Sequence, residues 1–211
     1  MKLSAINVIE LGSNIIPLGA ALRSLTNKRR AALVLIIFIS GSLATELITI
    51  YLGSRHINNH FVLNIYNVFE FLVLGYYFST IEISKRWKTM YPIIGGAYII
   101  TWIVFKFTLE PVNVPAEYSH TISAGILSCV AVRALCFLIE DEHIILYRDE
   151  RFWMAIATLF SYFMNIVMYG YINALARMNM QEAIKFWSIH WVVSIVGNFL
   201  FALGFVWNRK T

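Results

Sequence analysis

Charged residues are scarce in this sequence: Asp, Glu, Lys and Arg make up 14% of 211 residues, against about 25% in soluble domains. With 59% hydrophobic residues and a mean hydropathy of +0.66, that scarcity excludes an ordinary water-soluble fold. Cysteine occurs only as Cys129 and Cys136. Seven apart in one apolar stretch, they fall on one helix face at different depths and cannot close a disulfide, so they read as small apolar fillers. There is no low-complexity tract, no segment resembling a linker, and no connection long enough to hold an extramembrane domain. A cleaved signal peptide is not expected either, because Asn7, Glu10 and Asn14 interrupt the first apolar run.

What the sequence does contain is seven apolar stretches, at 3–22, 31–53, 61–80, 89–108, 119–139, 152–175 and 184–206. Each approaches the 20 or so residues that a helix needs to cross the hydrocarbon. The expected fold is therefore all-α: a polytopic membrane protein whose seven transmembrane helices form one bundle over residues 1–211. The first stretch is the least apolar, since Asn7, Glu10, Asn14 and Pro17 lie in it, and its alternative is an amphipathic helix lying in the interface.

Base exceeds acid, 17 to 12, for a formal charge of +5. In a soluble chain that surplus could suggest nucleic acid, but here most Lys and Arg flank the apolar stretches, so no nucleic-acid partner is expected. Eleven of them, including Arg23, Lys28, Arg29, Arg30, Lys85, Arg86, Lys88, Arg209 and Lys210, fall on the side of the C-terminus. Five fall on the other: Lys2, Arg55, Lys106, Arg177 and Lys185. By the positive-inside rule the C-terminus is cytoplasmic and the N-terminus outside. Trp87, Trp153, Trp187 and Trp207 stand near span ends, as interfacial aromatics do. The expected location is a bacterial inner membrane, crossed several times.

Polar side chains inside the spans are the candidates for function, because lipid offers them no partner. Asn7, Glu10, Asn14 and Pro17, at offsets of three and four, make one face of the first helix, which must turn inward. In the third span Asn64, Asn67 and Glu70 cover an arc of about 120°, wide enough to line a cavity. Glu46 in span two is placed to share that polar region. Arg133 in span five stays charged and must either find an anion, with Glu70 the candidate, or snorkel to the cytoplasmic surface. Three intramembrane glutamates face one intramembrane arginine, so at least two carboxyls must be protonated, hydrated or bound to something mobile. His190 and Asn198 complete the set on span seven, and Asn165 reads as helix glue. The expected ligand or proton pocket is thus Glu10, Glu46, Asn64, Asn67, Glu70, Arg133, His190 and Asn198.

Catalytic and metal signatures are missing. Seven helices with an external N-terminus resemble the rhodopsins in count, but Lys185 lies at the start of the last span and its centre holds no lysine. That argues against a retinal Schiff base, and no cofactor is expected. The zinc-dependent seven-helix hydrolases are similar in the same limited respect, since no Asp lies within any span. His56 and His60 are four apart, but Ser54, Asn58 and Asn59 make their segment a turn, so no metal site is expected. No repeat relates spans one to three with five to seven, as many transporters show. The leading expectation is a sensing or signalling module that binds a small molecule or proton in the lipid bilayer and acts through a cytoplasmic protein partner. A small proton-coupled transporter or channel is the alternative, and an accessory subunit of a larger membrane complex a further one.

Overall fold

The computed structural model of the chain describes residues 5–24, 30–140, 144–178 and 180–207. Lys2, Lys28, Arg29, Arg209 and Lys210, on which the expected orientation leans, lie outside those residues, as do the side chains of Asn7, Arg30, Arg177, Lys185 and Trp187. Seven helices are present among the described residues: α1 (Ala5–Ser24), α2 (Arg30–Ser54), α3 (His60–Ile81), α4 (Lys85–Thr108), α5 (Glu117–Glu140), α6 (Glu150–Met178) and α7 (Met180–Trp207). A 3-10 turn, Leu146–Arg148, precedes α6, and no strand occurs in the described residues. Six helical segments, on α2 to α7, are long and apolar enough to cross a membrane. An all-helical, multi-pass membrane protein follows, because in hydrocarbon a helix satisfies its backbone hydrogen bonds internally.

Several helices outrun the apolar stretches that announced them. Helix α4 takes in Lys85, Arg86 and Lys88, and α6 starts at Glu150 rather than 152. The cause lies in how the ends are closed. Ahead of α4, Glu82 Oε1 accepts the N–H groups of Ile83 and Ser84, both at 3.0 Å. Ahead of α6, Asp149 Oδ1 accepts the Arg151 N–H at 2.8 Å while its carboxylate pairs with the Arg151 guanidinium at 2.7 Å. Asp149 caps the N-terminus of α6 and complements its dipole, whereas Glu82 closes the turn that leads into Ser84, the residue before α4. The turn between α2 and α3 is tight, with His56 in the left-handed region at φ 58°. There the Asn58 side chain accepts the His60 N–H at the start of α3.

The chain divides into two compact units, 28–123 and 2–27 with 124–211, the break falling inside α5. In the first, α2 packs on α3 and α3 on α4. Gly41 of α2 faces the Phe69 ring so closely that a Cβ there would collide with it, which explains a glycine at that crossing. In the second, α7 packs on both α6 and α1. A Cβ at Gly204 would stand 2.6 Å from the Met154 methyl of α6.

The buried core is mostly apolar, but it also holds polar side chains while many large aliphatics face outward. Asn64, Ser119 and Ser123 are essentially inaccessible, while Ile65, Ile93 and Ile100 are about three-fifths exposed. Polar groups inward and large aliphatics outward is the arrangement a bilayer selects.

Candidate functional site

Helix α3 carries the site. Asn64, Asn67, Phe71, Leu74 and Phe78 are buried along it at steps of three and four, so the two asparagines stand on the face that packs inward. Asn67 is 3% exposed and joins three helices. Its Nδ2 donates to the Tyr98 hydroxyl of α4 at 3.1 Å. Its Oδ1 accepts from Ser123 Oγ of α5 at 2.9 Å and from His120 Nδ1 at 3.2 Å. Because Oδ1 only accepts, Nδ1 of His120 carries the proton in this arrangement. Tyr98 passes the chain on, donating to the Ser119 carbonyl at 3.4 Å.

Asn64, one turn earlier, clips the α4–α5 connection. Its Nδ2 approaches the carbonyls of Val112 at 3.0 Å and Val114 at 2.9 Å, as well as His60 of its own helix at 2.9 Å. Without the clip those carbonyls would lie in an irregular segment against apolar helices, an arrangement tolerated in membrane proteins only where protein partners satisfy it.

That connection also holds a buried ion pair. Lys106 Nζ donates to Glu110 Oε1 at 3.0 Å, each side chain 4% exposed. The same carboxylate accepts the N–H of Ser119 on Oε1 and of Tyr118 on Oε2, both at 3.0 Å. These are first-turn donors of α5 with no partner inside the helix. Burial alone would raise the Glu110 carboxyl, but the hydrogen bonds from Ser119 and Lys106 outweigh it and hold the group below its ordinary value. The Lys106 ammonium also lies 5.7 Å from the centre of the Trp102 ring.

No protein-family model, curated protein or solved structure matches this chain. What the site can do therefore rests on its own chemistry.

Beside Asn67, the Tyr66 hydroxyl donates to Glu70 Oε1 at 3.4 Å. Four of the expected pocket residues, Glu46, Asn64, Asn67 and Glu70, belong to one unit, in which Asn67 reaches Tyr98, Asn64 clips the α4–α5 connection and Glu70 accepts from Tyr66. The other four, Glu10, Arg133, His190 and Asn198, belong to the second unit. There Asn198 Nδ2 of α7 donates to Ser13 Oγ at 2.8 Å and Asn14 Oδ1 at 3.0 Å on α1. Ser13 Oγ donates in turn to the Glu10 carbonyl at 2.7 Å. Arg133 and His190 are half-buried on α5 and α7.

The sequence did not single out Tyr98, Lys106, Glu110, Ser119, His120 and Ser123 for the site. One signal was present: Lys106 and Glu110 are spaced i, i+4 across a helix end, the separation at which side chains pair.

Proposed function

We propose that the chain is a sensing module of a bacterial inner membrane, with seven spans, the N-terminus outside and the C-terminus cytoplasmic. It registers a small ligand or a proton at the α3–α4–α5 cluster and transmits the change to a cytoplasmic protein partner through its basic turns. The observation that carries the reading is Asn67, whose single side chain holds α4 and α5 to α3 through three side-chain hydrogen bonds. A ligand or proton that competes for any of those bonds shifts the balance between bonded and released helices, and a switch requires such an element. In the orientation set by the basic residues, this end of the helices faces outside. A signal would arrive there.

The test uses the full chain in liposomes. Lowering the external pH, or adding a ligand from a panel of small metabolites, should raise amide hydrogen exchange in the first turns of α5 without net proton flux. Charge reversal at Arg29 and Arg30 should abolish coupling to the partner and leave that response intact. Unchanged exchange under every condition would end the sensing reading. One observation favours transport as a second reading: the Tyr66 hydroxyl donates to Glu70 Oε1 at 3.4 Å, a contact that a proton relay through the third span would use. Proton or substrate flux that Glu70→Gln abolishes would establish it.

A further inference from the structure

The second unit carries a surface feature unrelated to the Asn67 cluster. Along α1, Ile15, Ile16, Gly19, Ala20 and Arg23 share one face at offsets of three and four, and with Val206 of α7 they line a groove of about 370 Å³. Gly19 and Ala20 form its floor because they are small. A Cβ at Gly19 would meet nothing within 4 Å, so the space beside the helix is open. Ile15 and Ile16 are exposed along it, and Arg23 closes one end. At 1.5 Å per residue the groove runs about 12 Å from Ile15 to Arg23.

We propose that this groove is a binding site for an anionic phospholipid of the surrounding bilayer, its acyl chain along Ile15, Ile16 and Val206 and its phosphate on Arg23. The order of the lining residues matches a lipid: apolar for about two turns of helix, then a cation. Arg23 stands in the last turn of α1 and has no ion-pair partner among the described residues. Basic pockets at helix ends select anionic head groups in this way, each basic side chain near the surface being worth about a fivefold preference. The inference rests on the chain being embedded in a bilayer and not on its being a sensor, so the two fail separately.

The full chain, reconstituted in vesicles of equal phosphatidylglycerol and phosphatidylcholine, is extracted mildly, and its retained lipid is measured by native mass spectrometry. Wild type should retain phosphatidylglycerol about fivefold over phosphatidylcholine. Arg23→Gln should bring the ratio close to one, and Gly19→Leu, which fills the groove, should lower retention of both lipids. Lys85→Gln, at a basic turn of the other unit, should change neither. Helix content and elution volume identify any variant that fails to fold, and the wild-type ratio stands without the variants. Equal retention by wild type, or an unchanged ratio in folded Arg23→Gln, would overturn the proposal. So would a dimer that Gly19→Leu dissociates with no lipid preference, which would assign the groove to a second copy of this chain.

Discussion

Lys106 and Glu110, one turn apart at the end of α4, bury an ion pair in which the carboxylate also closes the N-terminus of α5. The pair therefore couples the end of one helix to the start of the next, and its members are not interchangeable. Removing the lysine leaves a buried carboxylate held only by backbone donors. Lys106→Met should lower unfolding stability in mixed micelles by about 3–5 kcal/mol, the cost of leaving one member of a buried pair uncompensated. The double variant Lys106→Met with Glu110→Gln should recover much of that loss. A double variant as unstable as the single one would show that the lysine acts by packing its stem and not by its charge.

Glu110 also sets a pH dependence of known sign. Its carboxyl is held below the ordinary value of 4.5, so the folded state binds its proton less readily than the unfolded chain does. The stability it contributes is complete above the unfolded value and is lost as pH falls through the lowered, folded one. Thermal midpoints recorded from pH 6 to pH 3 should fall more steeply for wild type than for Glu110→Gln. Parallel curves would remove Glu110 from the acid-sensitive groups.

Six of the helices were legible because each holds an apolar stretch long enough to cross a membrane, and the inward face of α3 was legible because Asn64 and Asn67 obey helical spacing within one such stretch. Of the stripe on α1, Asn14 and Pro17 are buried, Asn14 meets Asn198, Glu10 is half-buried, and the Asn7 side chain lies outside the described residues. The partners were not legible. Tyr98 looks like any aromatic in an apolar span, and Lys106 looked like an orientation charge at a span end. Glu110 lies in a connection whose path brings it back to α5, a relationship fixed by the turn at Pro111–Val114 and by no periodicity. Helix ends were misplaced by several residues because hydropathy stops at the first charge, whereas the helices run on into the charged flanks at Lys85 and Glu150.

Asn67 should be the most sensitive polar position in the first unit. Asn67→Ala removes three side-chain hydrogen bonds and leaves the Tyr98, His120 and Ser123 groups to find other partners. At about 0.6 kcal/mol for each bond between membrane helices, the expected loss is about 2 kcal/mol. Tyr98→Phe, which removes one of these bonds and the link to Ser119, should cost about 1 kcal/mol. Unfolding measured in mixed micelles of fixed composition would compare them. Equal losses for the two variants would mean that Tyr98, and not Asn67, is the centre of the network.

Asn198 offers the corresponding test in the second unit, where it tethers helices whose bonded residues are 185 and 184 apart in sequence. The tether is short-range in space and long-range along the chain, so its loss should act on the docking of α1 and leave the α6–α7 pair intact. Asn198→Ala removes two bonds and should cost about 1 kcal/mol, and Ser13→Ala, which removes one of them, about half of that. Gly204→Leu acts elsewhere: it drives a side chain into Met154 and should destabilise the α6–α7 contact by about 1–3 kcal/mol. Cysteine labelling of Ala21→Cys, at a buried position of α1, with Cys129 and Cys136 replaced by serine, separates the two effects, because labelling should become faster in the Asn198→Ala background and stay slow with Gly204→Leu. If the two backgrounds label alike, α1 is held by its apolar face, and the asparagine contributes nothing that packing does not already supply.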